Sequence, residues 1–346
     1  MITAVAISGG ADSLMSLALL RESGADVFAV HARFLPGEDD LPHGLTDLCR
    51  DWNIPLHVWD LRREFEAAVI KPFVRAYQEG LTPNPCAICN PAMKFGLLLD
   101  KARALGADKL ATGHYARLQE GSGSALFRGR DADKDQSYFL SLVPRKRLKN
   151  VLFPLGDRTK EQVRTELAAR GLAAPAGRES QEICFIPGDY RDFLRARDTE
   201  LSPPGPIALA DGTILGRHQG LWNHTLGQRK GLGVAYSEPL YVTGRDARTN
   251  TLIVGPKAET LTRTCRTAVP NLLEDPQVWP SSLLVQTIYR QRPVPAHVEL
   301  HDQGMHIVFA EPHALPAPGQ IAAVYAENGR LLAGAVITTE QAPLLP

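Results

Sequence analysis

The chain has 346 residues, 44% hydrophobic and 22% charged, with 38 basic residues balancing 38 acidic ones. No apolar run approaches the span of a membrane helix, and five cysteines are too sparse for a disulfide scaffold. The length allows two or three domains and the composition is that of a cytoplasmic enzyme. Zero net charge neither supports nor excludes a nucleic-acid partner, because one face can be basic while the total balances.

Met1 to Ile7 is a short apolar run rich in β-branched residues and predicts a buried first strand. Leu14 to Arg21 holds good helix formers and stops at Gly24. Between them lies Ser8-Gly9-Gly10-Ala11-Asp12-Ser13. Glycines there let backbone N–H groups close around a phosphate at the positive end of a helix. Ser8 and Ser13 add hydroxyl donors, and Asp12 beside the phosphates suits Mg²⁺. The segment has neither the Lys-Ser/Thr of a Walker loop nor a G-x-G-x-x-G spacing. It is similar to the pyrophosphatase loop of enzymes that cleave ATP between its α and β phosphates; an ordinary strand-to-helix turn is the plain alternative.

Val27–His31, Leu56–Trp59 and Lys109–Thr112 predict further strands, with helices over Glu64–Glu79 and Lys94–Leu105. Alternating strands and helices imply a parallel sheet covered on both faces. Ligands then bind beyond the C-terminal strand ends, where the Ser8–Ser13 loop and Thr112-Gly113-His114 both fall. Thr82 to Asn90 carries Cys86 and Cys89 as a Cys-x-x-Cys, stiffened by Pro83 and Pro85 and read as a loop preceding the Lys94 helix. Such thiols serve as nucleophiles, a redox pair or metal ligands, and a helix N-terminus favours the thiolate.

Asp131 to Tyr138 is polar and, taken alone, an exposed turn; Arg145 to Lys149 is a basic run that reads as a solvated helix face. Cys184, flanked by Ile183, Phe185 and Ile186, falls on an expected strand, and Cys49 and Cys265 are isolated thiols expected to be buried. Near residue 200 the texture changes. Ser202 to Pro206 reads as a linker, followed by small strands at Ile207–Leu209, Leu240–Thr243 and Leu252–Val254 and an all-β section over Leu283–Thr338. The expected division is 1–200, 201–270 and 271–346.

In this order the segments resemble the tRNA-specific 2-thiouridylase (MnmA) family over nearly the whole chain. The match runs from the Ser8–Ser13 loop through Thr82–Asn90, Ala111–Arg117, Lys134–Leu140, Phe153–Gly156 and Ile183–Ile186. It continues into Leu226–Gly233, Tyr289-Arg290-Gln291 and Pro318-Gly319-Gln320. The resemblance implies an α/β parallel-sheet PP-loop (adenine nucleotide α-hydrolase-like) domain, a central β domain and a C-terminal β-barrel. It implies a tRNA-uridine 2-sulfurtransferase: ATP adenylates the C2 oxygen of the wobble uridine, pyrophosphate leaves, and sulfur displaces AMP. The partners implied are a tRNA anticodon stem-loop and a sulfur-donor protein or sulfide; the base must be splayed out to reach the pocket.

The resemblance also assigns residues. ATP contacts fall on Ala6, Ile7, Ser8, Gly9, Gly10, Ala11, Asp12, Ser13 and Gly113, and on Ala32, whose side chain is not the family's usual one. Asn84, Pro85 and Cys86 match the target-base contact, and His114, Lys134, Asp135, Gln136, Tyr289 and Gln320 match tRNA contacts. Cys89 matches the nucleophile and Cys184 the persulfide carrier. Where some members carry Asp, this chain has Cys86. Cys86, Cys89 and Cys184 are therefore a candidate three-thiolate [4Fe–4S] site with one iron left for an outside ligand, the alternative being persulfide chemistry cycling through a disulfide. Smaller departures are Ala11, a short Phe34–Gly44 segment, Ile288, and Gln181-Glu182. An ATP-dependent amidotransferase or synthetase of the same superfamily shares the loop but has no need of three cleft cysteines.

Overall fold

The apolar run after Met1 becomes the middle strand of a parallel sheet. In the computed structural model, which describes residues 1–119, 124–173, 183–197 and 200–339, β1 (Ile2–Ala6) lies between β2 (Asp26–Arg33) and β4 (Lys109–Ala111). β3 (Leu56–Asp60) flanks β2 and β7 (Val151–Leu152) flanks β4, so the order is β3-β2-β1-β4-β7 with every pairing parallel. Ala4, Val5, Ala29 and Leu110 are buried in the sheet, as continuous apolar strands with both faces covered require. The helix after the loop, α1 (Ala11–Glu22), ends where Gly24 takes φ +74° and the Ala25 N–H bonds back to Leu20.

Two helical stretches depart from the expected form. The first runs from Arg62 to Gln78 with a π-helical turn at Glu66–Ile70 just before Pro72. The second starts at Pro85, not Lys94, and continues through a π-helical segment, Asn90–Leu98, to Ala104. Pro72, next to the first widened stretch, and Pro91, inside the second, each lack the N–H of an i→i−4 bond, and their rings crowd the preceding turn. The earlier start has a local cause: Asn84 caps the helix, its Oδ1 accepting from the Ala87 N–H at 3.2 Å, and Pro85 occupies the first helical position. Cys86 and Cys89 therefore sit on a helix and not on a loop.

Three further differences come from long-range packing. β5 (Ala116–Gln119) and β6 (Ala125–Arg128) form a hairpin that no local pattern announced. Cys184 lies in a turn instead of a strand; its neighbours Phe185 and Ile186 bury themselves and leave it exposed. Residues 181 and 182 lie outside the described residues. The polar run at 131–138 turns inward, burying Asp135, Ser137 and Tyr138. Arg145 and Arg147 of the basic run are paired with Glu274 and Asp100. Cys49 and Cys265 are buried as expected.

The remainder is β. β8 (Gly205–Ala208), β9 (Ile214–His218), β10 (Tyr241–Asp246) and β11 (Thr251–Gly255) make a four-stranded sheet ordered β10-β11-β8-β9. β12 (Leu261–Arg266), β13 (Asn271–Leu272), β14 (Leu283–Gln286), β15 (Val294–His301), β16 (Gly304–Ala314), β17 (Ile321–Ala326) and β18 (Leu331–Val336) form a curved seven-stranded sheet. These β modules follow the parallel-sheet domain as expected.

The last sheet shares a core with the first domain: Ile321, Ala323, Tyr325 and Leu331 cluster with Phe95, Tyr138 and Leu140. At its centre the Tyr138 hydroxyl donates toward the Ile321 and Thr287 carbonyls, 3.0 and 3.2 Å away, and accepts from the Ile321 N–H at 3.3 Å. Burial pushes this phenol above its usual range. Tyr138→Phe strands those backbone groups, so it should cost about 1–3 kcal/mol. A urea denaturation midpoint equal to wild type would refute that docking role.

Candidate active site

The glycines of the loop do two different things. Gly9 takes φ +83°, the left-handed region, while Gly10 is extended and precedes the first turn of α1 with no side chain capping it. The first-turn N–H groups of α1 therefore have no side-chain cap, and the helix end carries positive character. Ser13 fixes the loop: its Oγ donates to the Gly10 carbonyl at 2.9 Å, accepts from the Ser8 N–H at 3.2 Å and lies 3.3 Å from Ser8 Oγ. Ala6 ends β1, and the Ile7 carbonyl is gripped by His31 Nδ1 at 2.8 Å. Ala32, half-buried, ends up beside the same sheet edge, paired in register with Trp59.

Asp12 is already engaged. Lys160 Nζ donates to both its oxygens, at 2.8 and 2.9 Å, and the Tyr115 hydroxyl donates to Oδ1 at 2.7 Å. A carboxylate offers about four lone-pair sites, and three are taken. One site on Asp12 is left open, and the cation beside the loop is Lys160, buried at the N-terminus of the Lys160–Ala169 helix. Gly113 lies against Asp12: a Cβ on it would stand 2.8 Å from the Asp12 carbonyl carbon and 2.9 Å from its Cβ. Only glycine fits there without moving the loop.

One residue further, His114 is buried between Phe95 and Phe153, with ring centroids 5.6 and 5.7 Å away. Its Nε2 lies 3.3 Å from Lys94 Nζ and its Nδ1 2.7 Å from Thr112 Oγ1. Burial and the Lys94 charge hold its pKa well below the usual histidine value. The neutral ring thus accepts from Lys94 through Nε2 and donates through Nδ1 to Thr112.

Lys94 also faces the sulfur side. Cys86 is half-buried, Cys89 buried and Cys184 exposed at its turn. Burial raises all three thiol pKa values, that of Cys89 to about 12, where Cys184 and Cys86 add to the rise; Lys94 opposes the rise in each. The helix N-terminus does not make Cys89 a ready thiolate, because burial outweighs it. The three sulfur atoms are not all within 4.8 Å of one another, so they are not gathered as a mononuclear ion requires. The mutual electrostatic effects of Cys86, Cys89 and Cys184 place them near one another, and thiolates are the donors that iron–sulfur clusters take.

Other residues singled out from the sequence are placed as follows. Asp135 is buried, pairing with Arg128 at 2.9 Å and accepting from Gly129 N and Ser137 Oγ. Gln136 accepts from Tyr115 N through Oε1. Lys134 is half-exposed on the preceding turn. Tyr289 packs on Phe139 with centroids 4.3 Å apart; burial raises its pKa, and Asp135 and Cys86 raise it further. Gln320 Nε2 donates to the Thr82 and Pro83 carbonyls at 3.0 and 3.2 Å, immediately before the Asn84 cap. Lys94, Tyr115, Lys160 and Thr112 escaped the sequence reading of side-chain roles. Lys94 alone had a usable signal, lying five residues after Cys89 at the start of the helix expected to follow the cysteine segment.

A parallel-sheet domain with a glycine loop between its middle strand and the first helix, followed by two β modules, defines a HUP-type nucleotide enzyme. Family models agree along the chain: a tRNA methyl transferase HUP domain matches residues 1–188, a tRNA methyl transferase PRC-barrel domain 191–256, and an aminomethyltransferase β-barrel domain 262–337. The chain belongs to the tRNA-specific 2-thiouridylase MnmA family. It is 53% identical over 344 residues to the member from Nitratidesulfovibrio vulgaris strain Miyazaki F, covering 96% of this chain and 98% of that one. The members from Oleidesulfovibrio alaskensis and Chloroflexus aurantiacus are 48% and 42% identical, over 97% and 95% of this chain and 99% and 96% of theirs.

Lys94 is the charge shared by the thiols and His114, so Lys94→Met should raise the thiol pKa values further. Iodoacetamide labelling followed by peptide mass spectrometry at pH 8 should show Cys86 and Cys184 alkylated several-fold more slowly than in wild type. Cys89, titrating near 12, should label slowest in both proteins. Equal rates in the variant would remove Lys94 from the thiol site.

Proposed function

We propose that this chain thiolates C2 of the wobble uridine, position 34, of tRNA, consuming ATP and releasing AMP and pyrophosphate. One observation carries the reading: the phosphate loop and the three thiols are linked by a short run of contacts. Asp12 of the loop packs on Gly113, Gly113 precedes His114, His114 meets Lys94, and Lys94 acts on Cys86, Cys89 and Cys184. Activation and sulfur delivery therefore share one cleft, as a reaction that adenylates an oxygen and then displaces it requires. The family's activity supports the same conclusion.

The residues divide the work as follows. Ser8 to Ser13 cradle the phosphates through first-turn N–H groups and hydroxyls, with Lys160 supplying positive charge beside them. The uridine O2 attacks the α phosphorus, pyrophosphate leaves, and AMP is expelled when sulfur bonds to C2. Neutral His114 and the Lys94 ammonium flank the path between the two halves. Tyr289, half-buried near Cys86, offers a ring face to an extruded base, and Lys134 a charge to the RNA backbone. His114, Asp135 and Gln320 are engaged inside the protein, and their part is to position the elements that carry the contacts.

Cys86, Cys89 and Cys184 would hold a [4Fe–4S] cluster. When bound, such a cluster supplies an iron with an open position for sulfide. The persulfide route needs only Cys89 and Cys184 and leaves a disulfide to be reduced. The presence of Cys86 in the half-buried mouth favours the cluster.

Mass spectrometry of tRNA nucleosides from a strain lacking this gene tests the main reading: 2-thiouridine at position 34 should vanish and return with the wild-type copy. Its persistence without a second thiolase would defeat the proposal. Cys89→Ser and Cys184→Ser should each fail to restore it. For the cluster, anaerobically purified protein should contain about four iron and four sulfide per chain, as the cluster formula demands. Full activity in iron-free protein would exclude the cluster and leave the persulfide route.

A further inference from the structure

On the last sheet, far along the chain from the cleft residues, the hairpin of β15 and β16 presents a cluster that the thiolation chemistry does not use. His297, Glu299 and His301 alternate along β15 and so share one face. Glu299 pairs directly with His306 across the hairpin, and His301 is opposite Gly304, which carries no side chain. Glu299 Oε2 lies 3.7 Å from His301 Nε2 and 3.6 Å from His306 Nδ1, while its other oxygen, Oε1, lies 3.4 Å from His297 Nε2. Among the described residues this is where three ligand-type groups bring one donor atom each within 4.8 Å of the others.

We propose that Glu299, His301 and His306 bind one divalent transition-metal cation of the zinc class, with His297 orienting the carboxylate. Four donors around a cation at about 2.0–2.1 Å stand about 3.3 Å apart at tetrahedral angles. The carboxylate stands 3.7 and 3.6 Å from the two rings, within a few tenths of an ångström of that spacing, and all three donors lie within 4.8 Å of one another, so side-chain rotations can close them on a cation. Two imidazoles and one carboxylate are the ligand set that Zn²⁺, Co²⁺, Ni²⁺ and Cu²⁺ prefer, and Mg²⁺ and Ca²⁺ do not. The strands hold the ligands from a paired backbone, and the two-residue turn Asp302-Gln303 fixes the register. His297 on Oε1 leaves Oε2 directed at the other two rings, the role an outer hydrogen-bond partner plays for a bound carboxylate. Glu299 and His301 are exposed and His306 half-buried, so a cation reaches the site from solvent and keeps at least one water.

Titration of the full chain with Co²⁺ tests it, because cobalt reports its ligands by colour. Binding at this hairpin should give a visible d–d spectrum without the sulfur-to-cobalt charge-transfer band that the cleft thiols would produce, and Zn²⁺ should displace it. His301→Ala and His306→Ala should each weaken this binding at least tenfold. Glu299→Gln keeps the shape of the side chain and should do the same with circular dichroism unchanged. A wild-type chain whose cobalt spectrum comes only from thiolates overturns the proposal, as do variants that bind with wild-type affinity.

Discussion

Thr82 is the residue on which the cleft depends. Its N–H donates to the Pro318 carbonyl at 2.8 Å, its carbonyl accepts from Gln320, and its hydroxyl accepts from Arg245 at 2.8 Å. These bonds come from both β modules and converge on the backbone just before Asn84. Asn84 then caps the helix that carries Cys86, Cys89 and Lys94, so the origin of that helix is set by residues more than 150 positions away. The thiols, the lysine and, through it, His114 inherit their places from this anchorage.

The two lysines of the cleft show how the charge is arranged. Lys160 neutralises Asp12 beside the phosphate loop, and Lys94 lies among the thiols and the imidazole. Both reach the cleft from helices on different sides of the sheet, and Lys94 partly offsets the burial penalty of the thiols. Without Lys94 the thiols would sit in an environment that only disfavours their charged form; without Lys160 Asp12 would repel the phosphates it adjoins. The cleft is thus a pair of small electrostatic compartments joined by Gly113 and His114.

Much of the first domain was legible because its signals are local. Apolar runs mark β1, β2, β3 and β4, and the Gly9-Gly10 pair between a strand and a helix marks the phosphate loop. The β modules showed as short apolar segments between turn residues. What escaped was set by distance. The β5–β6 hairpin is held against Gly329 and Arg330, and Lys160 meets Asp12 across 148 positions. At Pro85 the local signal was present but read the wrong way: Asn-Pro opens a helix here, while proline's stiffness alone suggested a loop. The apolar neighbours of Cys184 suggest a strand, yet Phe185 and Ile186 bury themselves in a turn, which leaves Cys184 exposed while its thiol still feels Cys86 and Lys94.

The anchorage at Thr82 also orders events in time. The strands β1 to β4 and the loop between β1 and α1 are complete once about the first third of the chain has emerged from the ribosome. The carbonyls of Thr82 and Pro83 find their partner only when Gln320 is made, near the other end of the chain. During synthesis the nascent protein therefore has a phosphate loop before it has a seated cysteine helix. The half of the cleft built on the Ser8–Ser13 loop has its partner Lys160 before the chain is half made, whereas the half that carries the thiols gains its Thr82 anchorage only near the end.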